Sequence, residues 1–176
     1  MWRRGIEEAI PMFSINFGKD FETAVCELEQ NYKSEGDLYY FQLSKYPKNI
    51  EEMKIARYFF QLLFNCSFNI FDIRMAMFNP QMIELLFDDI KTKGPLKIHS
   101  QLTYLIFYEQ PSLNFVWNHL VTNKLHVTIC FKIFDMENYI SILFKILACG
   151  ANKFLSTTLE FFDKKLYNFM VEVCTV

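Results

Sequence analysis

Three histidines and five cysteines hold most of the conventional reactivity in this chain of 176 residues. His126 and Cys130 stand four apart, a spacing that brings them together on one helix face and equally on one strand face. A thiol beside an imidazole is the elementary unit of a cysteine nucleophile, with the imidazole taking the proton. The plainer reading is a buried cysteine near a half-exposed histidine. His119 and His126 are seven apart, whereas helical metal pairs sit three or four apart, and no acidic third ligand follows at useful spacing. The five glycines, at positions 5, 18, 36, 94 and 150, never approach a phosphate-binding loop. Glu7-Glu8 and Asp88-Asp89 are adjacent, so on a helix their carboxylates diverge and make no shared acid–base site. Asp88-Asp89 reads as a solvated pair or as a recognition element for a basic partner. No catalytic, cofactor or metal residue is assigned, and a non-enzymatic role is expected.

The elements that position these groups follow from hydrophobic spacing. The chain has 20 Phe, 9 Tyr and only 5 Gly. Phe59, Leu62, Leu63 and Cys66 form one stripe, and Ile83, Leu86, Phe87 and Ile90 another. Tyr139, Ile140, Leu143, Phe144 and Leu147 form a third, and Leu166, Phe169, Met170 and Val173 a fourth. Each repeats as i, i+3, i+4, i+7, the mark of an amphipathic helix. An all-α fold is therefore expected, with residues 1–18 as an irregular N-terminal arm or short irregular helix and 19–176 as a single helical domain. A helix is predicted from about Lys19, with Phe21, Ala24, Val25, Leu28 and Tyr32 on one side, and a short one over Leu38–Ser44. Asn49, with Glu52 three residues on, caps a helix from Ile50 to about Ser67. A shorter helical segment follows around 72–78. Asn79-Pro80 starts another helix, which ends near Lys93-Gly94. Pro95 opens one running to about Tyr108, and Ser112 caps the next, with Leu113, Val116, Trp117 and Leu120. Asp135 caps a helix ending at Gly150, and 152–174 fits two more.

One segment departs from this. Leu125, Val127, Ile129, Phe131 and Ile133 alternate with His126, Thr128, Cys130 and Lys132, a period of two that argues for a strand. No second strand of similar quality is evident to pair with it, and a lone strand leaves backbone groups unsatisfied. Helix or irregular structure is the expectation there. A strand paired with an edge from another molecule is the alternative.

Helix boundaries near 79, 95, 112 and 135 place helix pairs 30 to 40 residues apart, the scale of helical-pair repeats. Asn79-Pro80-Gln81-Met82-Ile83-Glu84-Leu85-Leu86 resembles the helix that follows the turn of an armadillo repeat. Ile98-His99-Ser100-Gln101-Leu102-Thr103-Tyr104-Leu105-Ile106 resembles the longer helix lining the groove of such a solenoid. The resemblance to armadillo and HEAT-type repeats covers roughly residues 50–173. It implies stacked helical hairpins with a concave surface. The turn here is Phe78-Asn79-Pro80 without glycine, and Trp117 is followed four residues later by Val121 rather than Asn, so the peptide chemistry of the importing members does not carry over. A compact helical bundle that captures an amphipathic helix, broadly like a Bcl-2-type domain, is the alternative architecture.

The formal charge of −2 argues against nucleic acid. The five cysteines stand far apart, with no paired spacing, which suits reduced thiols in the cytoplasm or nucleus. Cys66 and Cys149 lie in apolar runs and read as buried. No uncharged run approaches membrane-spanning length. The surplus of rings points to a protein partner or a homo-oligomer, with no small-molecule substrate. Groove lining is expected among Tyr104, Tyr108, Phe115 and Trp117. Tyr39 and Tyr40, next to Phe41, either pack between helices, the favoured reading, or anchor an interface.

Overall fold

The computed structural model describes residues 2–15, 22–29, 38–88, 96–107, 110–129 and 150–161, with 142, 145, 146, 168 and 171. Among these the architecture is mixed α/β, with four α-helices and eight strands in three sheets. This overturns the all-α expectation, the armadillo/HEAT-like solenoid and the compact helical bundle together.

The N-terminal stretch expected as an irregular arm forms α1 (Trp2–Glu7) and β1 (Phe13–Ile15). Helix α1 closes with Ala9 in the left-handed region at φ 48°. The Ile10 N–H donates to Gly5 O at 3.0 Å and the Ala9 N–H to Ile6 O at 3.2 Å, the paired bonds of a Schellman closure. Ile10, Met12 and Phe13 are core residues.

A hairpin follows where two helices were expected. Strands β2 (Thr23–Glu29) and β3 (Leu38–Ser44) pair antiparallel, Cys26 facing Phe41 and Glu27 facing Tyr40. Ala24, Cys26 and Leu28 are half-buried, while Thr23, Val25 and Glu27 are exposed. Ala24 and Leu28 are four apart, a spacing that fits both periods, so the helical reading was open to this error. On β3, Leu43 is buried and the Phe41 ring packs 5.3 Å from that of Phe59.

Helix α2 (Ile50–Asn65) starts as its capping signal predicts. Asn49 Oδ1 accepts from the Glu52 N–H at 2.9 Å, and Asn49 Nδ2 donates to Glu52 Oε1 at 3.1 Å. Cys66, expected to be buried, instead caps the far end, exposed, with its N–H donating to Leu62 O at 3.0 Å. Strands β4 (Ser67–Asp72) and β5 (Ala76–Phe78) replace the helical segment expected near 72–78. Strand β5 pairs antiparallel with β1, Phe13 facing Phe78. Asn79 then starts α3 (Pro80–Leu86), its Oδ1 accepting from the Gln81 N–H at 3.0 Å. The same side chain donates to Pro11 O at 2.9 Å and ties the N-terminal segment to α3.

Strand β6 (Ile98–Phe107) occupies the segment expected as a groove-lining helix. Helix α4 (Gln110–His119) returns the chain to β7 (Leu120–Ile129), and β8 (Phe154–Phe161) follows a 3-10 turn at Gly150–Asn152. These strands form a parallel sheet in the order β4-β6-β7-β8. The described part of the period-two segment, Leu125–Ile129, is therefore a strand and not the helix or irregular structure expected, and its partners β6 and β8 lie within the chain. Ser67 faces His99, Ile98 faces Leu120 and Thr122 faces Phe154, so the offsets are 32, 22 and 32 residues. What spacing presented as a helical-pair repeat is a strand-and-crossover repeat.

All four parallel strands share one bend. Asn69, Gln101, Asn123 and Leu155 are exposed, and they fall outside the register while pairing continues with unchanged offsets on either side. Core-facing positions consequently step by three across the bend: Ser100 to Thr103 on β6 and Thr122 to Leu125 on β7, all buried. Ser100 and Thr103 hydrogen-bond to each other at 2.7 Å, and Thr122 Oγ1 donates to Lys124 O at 3.1 Å. The i+3 step and the polar residues at buried positions hide the alternation of β6 from a simple period count.

The rings are packed between helices and sheet, not between helices alone. Phe60 and Phe78 meet edge to face at 4.9 Å, and Phe78 meets Phe59 and Phe115 at 5.8 Å each. Phe60, Phe59 and Phe115 are fully buried.

Candidate interaction face

Beyond the bend, alternation gives the parallel sheet two distinct sides. Phe71, Thr103, Leu105, Leu125 and Val127 face the helices and are buried. The opposite side carries Ile70 and Asp72 from β4, Leu102, Tyr104 and Ile106 from β6, Lys124, His126 and Thr128 from β7, and Ser156, Thr158 and Glu160 from β8. None of these is buried, and Ile70 is 45% exposed. They align because the strands are parallel and in register: Asp72, Tyr104, His126 and Thr158 form one row across the sheet. Neighbours in such a row stand about 4.8 Å apart, close enough for side chains to touch.

Tyr104 is the centre of that row. Its ring lies 5.2 Å from the His126 ring, tilted by 43°. On its other side the Arg74 guanidinium sits 5.3 Å from the ring centroid, a cation–π contact. Arg74 is held by Asp72, with Nη2 at 2.5 Å from Oδ2 and Nε at 3.0 Å from Oδ1. This bidentate carboxylate, through its hydrogen bonds and then its charge, pushes the Arg74 guanidinium further up from its ordinary range. The pair stays at the surface, so it orders the row more than it stabilises the fold. Beyond the row, Thr128 Oγ1 donates to Glu160 Oε2 at 3.4 Å, and at the bend Asn123 Nδ2 donates to Gln101 Oε1.

Phe115, Trp117, Tyr39 and Tyr40 lie elsewhere. Phe115 is in the ring core, and Tyr108 lies outside the described residues. Trp117 is half-buried near the end of α4, where Lys153 Nζ stands 3.8 Å from its ring centroid and donates to Trp117 O. Lys97 Nζ donates to Asn118 O, so two lysines satisfy the carbonyl end of α4. Burial pulls both lysines below their usual range, and in Lys97 the charge of Lys153 adds to that effect. Tyr39 and Tyr40 are exposed on β3, at 47% and 62%. The structure thus brings Tyr104 to the open face and leaves Phe115, Trp117, Tyr39 and Tyr40 on other surfaces or in the core.

The histidines considered for metal or nucleophile chemistry do not meet. His126 is on the open face, while His119 is 8% exposed at the α4–β7 junction, between the rings of Phe64 and Phe115. His119 Nδ1 pairs with Leu96 O at 3.1 Å, and Nε2 has no hydrogen-bond partner among the described residues. Cys130 lies outside the described residues. Among the described residues no group of three His, Cys, Asp or Glu is placed to hold a metal ion. Likewise, no helix there is long and apolar enough to cross a membrane. Arg74, Asp72 and Lys124 were not singled out from the sequence. The signal available was the match of 98–107 to 120–129 at an offset of 22, which aligns Ser100-Gln101 with Thr122-Asn123 and Tyr104 with His126.

The fold and this face define an α/β domain built on a parallel sheet that, among the described residues, is covered on one side. The chain belongs to the family described as Domain of unknown function (DUF8381), whose model matches residues 1–130. That match runs from α1 through β7 and takes in three of the four parallel strands. No curated protein and no solved structure matches the chain.

Proposed function

We propose that this chain is a non-enzymatic protein–protein interaction module and that a folded protein surface seats on the open side of its parallel sheet. One observation carries the reading. Parallel sheets are normally covered on both faces, yet among the described residues no element covers the side of this one that carries the row of Asp72, half-exposed Tyr104 and His126, and Thr158. The chemistry suits a protein partner: an aromatic centre with Ile70 and Leu102 beside it, an ordered arginine, and charged residues at Lys124 and Glu160 towards the edge. The free thiols of Cys26 and Cys66 support an intracellular setting, in cytoplasm or nucleus.

The test is affinity purification of the tagged chain beside Tyr104→Ser, Tyr104→Ser/His126→Ser and Tyr40→Ser variants, each first checked for native melting. A partner retained by the wild type and by Tyr40→Ser, and held about thirtyfold or more weakly by Tyr104→Ser, is the expected result for loss of an interface anchor. If the partner is a second copy, sedimentation equilibrium shows the same pattern of variants. Identical retention by all four proteins would remove the open face from the interaction.

A further inference from the structure

We infer that the outer edge of β2 is a second docking site, one that accepts an extended, basic segment of a partner as an added antiparallel or parallel strand. This goes beyond the open-face reading and rests on different residues.

The backbone supplies the first part of the argument. The Lys45 N–H donates to Glu22 O at 2.7 Å, so residues 22 and 45 are a hydrogen-bonded pair. Hydrogen-bonded and non-bonded pairs alternate along an antiparallel ladder. With the register Thr23 to Ser44 and Ala24 to Leu43, the inward-bonding residues of β2 are therefore Ala24, Cys26 and Leu28. The N–H and C=O groups of Thr23, Val25 and Glu27 point away from β3. Among the described residues the sheet has two strands, so no strand meets those groups. A two-stranded ribbon with a free edge is a ready template for strand addition.

The side chains say what fits. Val25 is 67% exposed and Tyr40, across the ribbon from Glu27, is 62% exposed, so the outer surface offers apolar area beside the free edge. Glu27 is exposed on that same face, alternation turning Glu22 to the other one, and the sequence across 22–29 and 38–44 holds no lysine or arginine. A second copy of the same edge would bring its own acid against it. A strand with alternating basic and apolar residues instead places a cation opposite Glu27 while its amides complete the ladder.

The probe is a seven-residue capped peptide of alternating lysine and valine, titrated into the full chain by calorimetry or fluorescence anisotropy. Three controls separate the contributions: the same peptide N-methylated at alternate amides, its counterpart with glutamate for lysine, and a scrambled-charge version with proline at the centre. The expected result is saturable binding of the lysine peptide that weakens with salt, with the N-methylated and proline peptides about tenfold or more weaker. On the protein, Glu27→Lys should reverse the charge preference. Val25→Pro removes an outward N–H without removing a β2–β3 bond, and it should weaken binding by about tenfold. If Val25→Pro disturbs folding, Glu27→Lys with the N-methylated peptide still decides the matter. Equal binding of N-methylated and parent peptides, equal binding of the glutamate peptide, or self-association of the chain through β2 would each overturn the inference. Tyr104→Ser should bind the peptide as the wild type does, so failure here and failure of the open-face reading are told apart.

Discussion

The Asn123 side-chain amide donates to the Gln101 carbonyl oxygen on the neighbouring parallel strand, at the point where both strands bend. Neither residue takes part in the register at that point, so this contact between side chains bridges a gap in the backbone ladder. A double-mutant cycle with Gln101→Ala and Asn123→Ala should give a coupling of about 0.5–1 kcal/mol, in the range of exposed polar pairs across strands. Chemical denaturation of the four proteins measures it. Additive effects would mean that the Gln101–Asn123 contact does not help to hold the bend, leaving the Ser100–Thr103 and Thr122–Lys124 bonds.

Ala9 closes α1 in a conformation that favours glycine. Its backbone already makes the Schellman bond to Ile6 O, so glycine keeps the closure and removes the crowding at Cβ. Ala9→Gly should stabilise the chain by about 0.5–1 kcal/mol after the added freedom of the unfolded chain is counted. Thermal unfolding reports the sign directly.

Gly150 shows the opposite sensitivity. A Cβ there would lie 2.7 Å from Cδ2 and 3.3 Å from Cε2 of Phe154, a ring that is itself buried. Gly150→Ala should cost about 1–3 kcal/mol through overpacking. Combining it with Phe154→Leu should recover part of that loss, because the smaller side chain vacates the contested space.

Burial, reinforced by the charge of Lys97 and opposed by the bond to Leu96 O, lowers the His119 imidazole from its ordinary value of 6.5. The unfolded chain therefore takes up the proton first as pH falls. Stability is unaffected by this group above pH 6.5 and declines below it until the folded form also protonates. His119→Asn keeps a donor for Leu96 O and removes the titration. Urea midpoints at pH 7 and pH 5 should diverge for the wild type and converge for the variant, once shared carboxylate effects are subtracted.

Cys26 and Cys66 should differ in reactivity. Burial pushes the Cys26 thiol up to about 11, whereas Cys66 is exposed at the end of α2. At pH 8 only about one Cys26 in a thousand is thiolate. Iodoacetamide mapping by mass spectrometry should label Cys66 in the native chain and reach Cys26 only after unfolding or near pH 11.

Local chemistry was the most legible part of the sequence. Asn49 with Glu52 and Asn79 with Pro80 each marked a helix start correctly, because caps depend on residues within one turn. The parallel strands were hidden because their bend inserts an i+3 step, and because Ser100, Thr103 and Thr122 put hydroxyls at buried positions. In β2, Ala24 and Leu28 satisfied both periods. Of the residues on the open face, Tyr104 was singled out for its ring and His126 for its imidazole. Asp72, Arg74 and Lys124 were not, since only the register places them beside Tyr104.

The strand offsets of 32, 22 and 32 residues also bear on the order in which the molecule assembles. Each parallel strand pairs with the one before it in the chain, across a crossover whose closure entropy rises only slowly with its length. Longer-range links include the pairing of Phe13 with Phe78 and the bond from the Asn79 side chain to Pro11 O. A chain emerging from the ribosome must therefore hold its first fifteen residues in reserve until α3 exists to receive them. The sheet can grow strand by strand after that, so the N-terminal clasp sets the earliest moment at which the core can close.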